Sequence, residues 1–300
     1  MDMIGVTGAS GLIGRHLLAL LARNGHAVTA TSRRRPEADV AWHPSELAEW
    51  RHPDQLDGLF AHVDAVVHLG AALPGADAAA LMDVNLRATL ILGQWAASRG
   101  KPLVFLSSGS VYGETGGPVD EDAPMSAQPL GGLYGLSKQL AEQALAHLAA
   151  QGLRRTVIRP TAVYGWGMPV GKLVAAFLAR ARAGDVLEVA PPAADSVNLV
   201  HAFDVARAVA AALESAQYGV FNVTGPAQVS MGELARACVR VAGSGSVREP
   251  DGEAGRPPVD RFRLKGSRAA AALGYSPRVG LDEGLGLMLH QACLPEGGLP

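Results

Sequence analysis

Short apolar runs alternate with longer amphipathic segments along the first half of the chain. The runs are rich in Val, Ile and Leu, and they predict strands near Ile4–Thr7, Val28–Thr31, Ala65–Leu69, Leu103–Ser107 and Thr156–Arg159. Continuous apolar runs are typical of strands that helices cover on both faces of a parallel sheet. The pattern therefore predicts the α/β class, with a doubly wound parallel sheet.

The helices between these strands have recognisable ends. The amphipathic segments Leu12–Arg23 and Leu133–Ala150 are each followed within two residues by a glycine, which commonly ends helices. A further strand at Val40–Trp42 is only weakly indicated, because it is short and has polar neighbours.

The pattern loosens after Tyr164, where Pro191-Pro192 and a Gly/Ser stretch separate shorter elements. We therefore expect a first domain at 1–164 and a smaller lobe at 165–300, with about 196–224 returning to the first domain. One helix of the lobe is well marked, since Ser230 and Glu233 have capping-box spacing and apolar positions continue to about Val241.

Composition narrows the classes of function. The chain has 300 residues, of which 48% are hydrophobic and 18% charged, so an ordinary globular protein is expected. The net charge is -2 with scattered Lys and Arg, which argues against nucleic acid as a partner. Cys238 and Cys293 have no metal-ligand spacing, so no metal site is predicted. With no signal peptide and no run near the ~18 apolar residues of a membrane span, we expect a cytoplasmic protein without a membrane partner.

The first strand leads through glycines at positions 8, 11 and 14 into a helix. Gly8 permits a tight turn, Gly11 lets the backbone approach a pyrophosphate, and Gly14 allows close helix–sheet packing. The helix amino terminus adds N–H donors. This motif in this context predicts a dinucleotide-binding Rossmann domain.

A second motif carries candidate catalytic groups. Tyr134 and Lys138 lie four residues apart on one face of a predicted helix. A nearby ammonium favours phenolate, so we expect Lys138 to lower the pKa of Tyr134 toward the working pH and make it a general acid or base. A serine-rich turn, Ser107–Gly113, follows a strand, and open α/β sheets bind ligands at such carboxyl ends. A polar turn without a catalytic role is the alternative for Ser107 and Ser110.

The blocks TGASGLIG at Thr7–Gly14, SSGSVYG at Ser107–Gly113, YGLSK at Tyr134–Lys138 and RPTAVYG at Arg159–Gly165 occur in this order. Together they resemble the NAD(P)-dependent epimerase/dehydratase family of extended short-chain dehydrogenases/reductases. VVHLGA, NLRAT, NLVHAFDVA and FNVTG resemble further family blocks, so the similarity covers almost the whole chain.

The resemblance implies that Ser108 binds the substrate oxygen, Tyr134 is the acid/base, and Lys138 binds the nicotinamide ribose. Cofactor contacts are expected from Gly8, Ser10, Gly11, Leu12, Ile13, Gly14, Ser32, Arg33, Arg34, Leu69, Gly70, Ala71, Asn85, Ser107, Tyr134, Lys138, Pro160 and Val163. Substrate contacts are expected from Ser108, Ser110, Ala162 and Arg256. For His68 and His201 a structural role is expected, and Asp204 is predicted to cap a helix that starts near Phe203.

Some positions depart from the family pattern. Dehydratases of the family carry Asp-Glu where this chain has Gly109 and Ser110, so ketone reduction, alcohol oxidation or epimerisation is expected instead of 4,6-dehydration. Two donors that commonly hold the diphosphate of a nucleotide sugar are replaced by Ala162 and Val197, whereas Arg256 resembles a remaining one. A nucleotide sugar is the leading substrate. A non-nucleotide carbonyl compound and a cofactor-binding regulator without turnover are alternatives, and a homodimer is expected from the family.

The end of the second strand bears on the choice of cofactor. Enzymes that use NAD place Asp or Glu there, to accept hydrogen bonds from the ribose. Here the position is Ser32, followed by Arg33, Arg34 and Arg35. Because arginines can pair with a 2′-phosphate, NADP is predicted over NAD, with Arg35 the expected bystander.

Overall fold

The computed structural model describes residues 2–249 and 255–293. In chain order, strands β1 to β13 are Met3–Thr7, Ala27–Ser32, Ala41–Pro44, Ala65–His68, Leu103–Leu106, Arg155–Pro160, Ala162–Tyr164, Val186–Glu188, Ser196–His201, Gly219–Val223, Gln228–Ser230, Ser246–Arg248 and Asp260–Arg261. Helices α1 to α10 are Leu12–Arg23, Asp57–Phe60, Ala78–Leu81, Ala88–Ser98, Leu133–Ala150, Leu173–Arg182, Ala202–Ser215, Met231–Ala242, Ser267–Leu273 and Leu281–Leu289.

A seven-stranded parallel sheet forms the centre of the molecule, in the order β10-β6-β5-β4-β1-β2-β3. The strand order reverses at β1, which lies between β2 and β4. Open α/β sheets bind ligands at such a reversal, beyond the carboxyl ends of the strands. The sheet therefore places the glycine loop after β1 beside the turns after β4 and β5.

Two apolar cores cover the faces of this sheet. On one face α1 packs against α7, with Leu17, Leu18 and Val205 fully buried. On the other face Trp95 of α4 and Leu145 of α5 are fully buried in the second core. Each face therefore removes a broad apolar surface from water, which is the main favourable contribution to folding.

A smaller set of elements forms a third core from α6, α8 and α10. Its sheet is built around β9, which pairs in parallel with β7 and β13 and antiparallel with β11. The helix α8 begins at a capping box in which Ser230 and Glu233 bond each other's backbone N–H groups.

The predicted class and parallel sheet are confirmed, and α1 and α5 have the predicted bounds. The weak third strand is present as β3, paired with β2 at the sheet edge. The domain boundaries at 164/165 stay a prediction. In the described part of the chain, no helix combines the length and apolarity needed to cross a membrane.

The predicted cap of α7 was wrong. His201 is the N-cap, and its Nδ1 accepts from the Phe203 N–H at 3.2 Å. Asp204 lies inside the first turn, fully buried, and accepts from the backbone N–H groups of Arg278 and Val279. The carboxylate therefore ties α7 to a distant loop, which sequence spacing alone cannot reveal.

Candidate active site

The glycine loop after β1 is closed against neighbouring backbone. Gly8 has a left-handed φ of +68°, and a Cβ there would lie 2.5 Å from the Gly70 nitrogen. A Cβ at Gly14 would lie 2.5 Å from the carbonyl oxygens of Gly8 and Ala9. Side chains at these two positions would clash with backbone that cannot move cheaply, as the motif predicts.

The amino terminus of α1 suits an anionic group. The N-cap is Gly11, which provides no capping side chain, and the first turn holds no acidic residue. Among the described residues outside the immediate neighbours, a Cβ at Gly11 would approach only the Gly8 oxygen, at 3.0 Å, so the loop is otherwise open there. Free N–H groups and the positive end of the helix dipole are the features that bind a pyrophosphate. These residues therefore fit a dinucleotide.

A chain of hydrogen bonds holds the turn after β4 against this loop. The Gly70 N–H donates to Thr7 Oγ1, which lies 2.6 Å from His68 Nδ1. His68 Nε2 lies 3.0 Å from Thr89, whose hydroxyl donates to the backbone oxygen of Asn85. The hydroxyl of Thr89 is thus committed as a donor, so the proton of His68 lies on Nε2. Burial lowers the pKa of His68 to about 3, and the neutral ring has the structural role expected of it.

Asn85 lies in a π-helical stretch, Met82–Arg87, between α3 and α4. Its fully buried amide accepts from the Ala72 N–H at 2.8 Å and donates to the Ala72 oxygen and to Ser137 on α5. π-Helical turns are frequent at functional sites. Asn85 therefore joins the turn that contains Leu69, Gly70 and Ala71 to the helix that carries Tyr134 and Lys138.

The end of β5 meets the first turn of α5. Ser108 caps a short 3₁₀ turn by accepting from the Ser110 N–H, and its hydroxyl donates to Ser110 Oγ at 2.9 Å. The Tyr134 phenol lies close enough to Ser108 for that hydroxyl to affect its pKa. The hydroxyl groups of Ser108, Ser110 and Tyr134, which the sequence places in two separate motifs, are therefore neighbours in the structure.

The net shift of the Tyr134 pKa in this structure is upward, and the lowering expected from Lys138 together with a bound nicotinamide stays a prediction. Burial is the dominant cause and raises the pKa of the Tyr134 phenol, and the Ser108 side chain opposes it. Lys138 is 2% exposed, donates to the Leu106 carbonyl at 2.9 Å, and stacks its ammonium on the Phe105 ring. Desolvation explains the difference: it disfavours the phenolate, and it also lowers the pKa of Lys138 to about 8.

A buried ionic network beneath this site was missed by the sequence analysis. Glu142 on α5 accepts from the Ser107 hydroxyl and from the Nε and Nη2 groups of Arg159 on β6. Arg159 also donates to Tyr112, which donates in turn to Asn222. The available signal was the spacing of Glu142, one helical turn beyond Lys138 on the same face.

The position after Ser108 has no room for a side chain. A Cβ at Gly109 would lie 2.9 Å from Leu264 Cδ1, 3.0 Å from the Pro160 oxygen and 3.1 Å from Phe262 Cδ1. Phe262 holds a left-handed φ of +57°, which is uncommon for a bulky residue. The chain thus lacks the carboxylate that dehydratases carry at position 109. Leu264, Pro160 and Phe262 also occupy the space that such a side chain would need.

The strand-end residues of β2 divide into two groups. Ser32 is buried, and its hydroxyl is engaged by the Arg34 carbonyl at 2.6 Å and the Trp42 indole at 3.2 Å. The side chains of Arg33, Arg34 and Arg35 are exposed. Ser32 therefore shapes the turn, and the arginines present their charge to solvent.

The remaining predicted positions lie around β7. Pro160 ends β6, and Ala162 and Val163 belong to β7, which pairs with β9. Val197 on β9 is buried. Arg256 is half-exposed and bidentate to Asp195, with N···O distances of 2.9 and 2.5 Å. This pairing lowers the pKa of Asp195, so the guanidinium already has an anionic partner within the chain.

The fold and the glycine loop together define a dinucleotide-binding α/β protein. The sequence profile of the NAD dependent epimerase/dehydratase family matches residues 4–224. The chain belongs to this family, and it is an enzyme of the NAD(P)-dependent short-chain dehydrogenase/reductase type.

Characterised relatives include nucleotide-sugar enzymes. The chain is 32% identical to UDP-glucose 4-epimerase of Mycolicibacterium smegmatis over 310 residues, covering 93% of this chain and 95% of the relative. It is 30% identical to dTDP-4-dehydro-6-deoxy-D-allose reductase of Streptomyces bikiniensis over 311 residues, with 93% of each covered. Among solved structures, MoeE5 in complex with UDP-glucuronic acid and NAD aligns with a TM-score of 0.80 and 26% identity, covering 97% of this chain and 98% of that one.

Proposed function

We propose that this enzyme transfers hydride between a nicotinamide cofactor and a carbinol or ketone carbon of a nucleotide-activated sugar, as a 4-epimerase or a ketoreductase. The observation that carries the proposal is the meeting of Ser108, Tyr134 and Lys138 at the carboxyl end of β5. The family membership and the nucleotide-sugar substrates named for the relatives support it.

In this proposal each side chain has a separate task. Ser108 donates a hydrogen bond to the substrate oxygen, and the Tyr134 phenol passes a proton to that oxygen or takes it away. Lys138 holds its buried charge beneath them and binds the nicotinamide ribose. The cofactor, when bound, accepts or donates the hydride. The Tyr134 phenol, whose pKa burial raises above its ordinary value, is protonated at neutral pH, and this is the form that donates to a ketone.

For the cofactor we propose NADP in preference to NAD. The support is the exposed Arg33 and Arg34 beside a strand end without a carboxylate. A guanidinium pairs with phosphate by charge-assisted hydrogen bonds of about 1.5–3 kcal/mol. Several neighbouring structures were solved with NAD, so the preference of this chain rests on its own arginines.

A reductase of a non-nucleotide carbonyl compound is the second candidate. The observation that favours it is the bidentate pairing of Arg256 with Asp195, because a diphosphate would have to compete with that carboxylate. Neither Ala162 nor Val197 offers a replacement donor. We place the nucleotide sugar first because the relatives with full-length similarity act on such substrates by name.

Product analysis would separate these activities. Purified enzyme would be incubated with NADP+ or NAD+ and, in turn, UDP-glucose and UDP-glucuronic acid, and with NADPH or NADH and, in turn, a dTDP-4-dehydro-6-deoxy sugar and simple ketones. Net oxidation of NADPH with a reduced sugar nucleotide indicates a ketoreductase, and C4 inversion without net redox change indicates an epimerase. Turnover of simple ketones alone would favour the second candidate.

A further inference from the structure

Three consecutive residues at the end of β5 contact three successive turns of α5. Ser108 lies beside the Tyr134 phenol and affects its pKa, the Leu106 carbonyl accepts from Lys138, and the Ser107 hydroxyl donates to Glu142. The helix residues are spaced four apart, so they lie on one face. Three contacts thus fix the position of α5 relative to the end of β5. Those of Tyr134 and Lys138 involve the residues of the proposed chemistry, and the third is that of Glu142.

The contact of Glu142 is the most strongly fixed of the three. Glu142 and Arg159 each have side chains that are 4% exposed, and their contact is multidentate. Arg159 belongs to β6, the neighbour of β5 in the sheet. Because planar bidentate pairs tolerate little displacement, the carboxylate anchors α5 to two adjacent strands at once.

We propose that Glu142 is a positioning residue. Arg159 and Ser107 hold its carboxylate, and through α5 it sets where Tyr134 lies at the end of β5 and keeps Lys138 charged there. The inference rests on the proposed function for the roles of Tyr134 and Lys138. It assigns to Glu142 a contribution to catalysis that does not require contact with substrate.

The electrostatic part follows from the groups around Lys138. Desolvation lowers the pKa of Lys138 to about 8, and the Glu142 carboxylate is the effect that raises it. His68 on β4 is neutral, Tyr134 on the same helix is protonated, and the positive Arg159 on β6 is neutralised by Glu142. Removing the Glu142 charge should therefore make Lys138 lose its proton at lower pH.

Two variants separate position from charge. Glu142→Gln keeps the shape of the side chain and removes its charge, whereas Ser107→Ala keeps the ion pair and removes the bond to β5. Gln143→Ala, at an exposed neighbouring position on α5, is the matched control. NADPH binding would be followed by fluorescence across the pH range around 8, together with kcat and KM for the substrate identified by product analysis.

We expect Ser107→Ala to lower kcat by about 10- to 100-fold with little change in KM, because small displacements of reacting groups are costly. Its pH dependence of NADPH binding should match that of the wild type. Glu142→Gln should lower kcat as well, and it should lose NADPH affinity at a lower pH than the wild type does. The control should behave as the wild type in every measurement.

The inference is overturned if Ser107→Ala keeps wild-type kcat, or if folded Glu142→Gln loses NADPH affinity at the same pH as the wild type. Should Glu142→Gln fail to fold after leaving Arg159 unpaired, the kcat of Ser107→Ala decides. Failure of the proposed function looks different: the wild type itself would bind NADPH and turn over no carbonyl substrate. The pH dependence of NADPH binding then still tests the role of Glu142.

Discussion

Gly109 offers a sharp test of how the active site excludes dehydration. Gly109→Ala would place a Cβ 2.9 Å from Leu264 Cδ1 and 3.0 Å from the Pro160 oxygen. The leucine methyl can move, but the carbonyl belongs to β6 in the central sheet and cannot. Overpacking of this kind costs about 1–3 kcal/mol in the free energy of unfolding. Gly109→Asp should cost at least as much, and it should form no dehydrated sugar nucleotide.

Urea denaturation would measure the stability change, with Gly58→Ala as the control, because in the described part of the chain nothing beyond the local helix lies within 4 Å of a Cβ there. The control should be neutral or stabilising by up to about 1 kcal/mol. Phe262→Ala should relieve part of the clash, so the pair should show a coupling energy of roughly 1 kcal/mol in a double-mutant cycle. A Gly109→Ala protein as stable as the wild type would refute the steric reasoning.

Three further substitutions test the assigned groups. Tyr134→Phe should fold and bind cofactor yet lose at least ~100-fold in kcat, because only the proton-transfer group is removed; wild-type turnover would exclude Tyr134 as the acid/base. Arg33→Ala should lower the ratio of NADP to NAD affinity by about 10-fold in a binding titration, whereas Arg35→Ala should leave it unchanged; an unaltered ratio in the first variant would remove Arg33 from the phosphate site. Arg256→Ala should raise KM for a nucleotide sugar more than for a truncated substrate, and equal effects on both would identify Arg256 as a structural partner of Asp195.

The sequence predicted the central sheet well because its elements depend on local patterns. Buried parallel strands show as continuous apolar runs, and α1 and α5 end where glycines follow. The glycine loop was predictable for the same reason, since turn geometry and close packing at Gly8 and Gly14 demand the absence of a Cβ.

The features that the sequence predicted wrongly or missed depend on contacts between distant parts of the chain. Asp204 bonds to backbone more than 70 residues away, and Glu142 reaches Ser107 and Arg159 on two strands. Such partners are set by tertiary packing, which periodicity does not report. The upward shift of the Tyr134 pKa was not foreseen either, because desolvation depends on the whole surrounding structure.

The central claim is that Ser108, Tyr134 and Lys138 carry hydride transfer at a carbinol or ketone carbon of a nucleotide sugar. The most direct measurement is single-turnover absorbance of the nicotinamide after mixing cofactor-loaded protein with the nucleotide-sugar panel, in wild type and Tyr134→Phe. The account predicts a change in nicotinamide absorbance with at least one sugar nucleotide in the wild type, and its loss in the variant. Stoichiometric cofactor binding with neither an absorbance change nor C4 inversion for any sugar nucleotide, or equal turnover in both proteins, would contradict it.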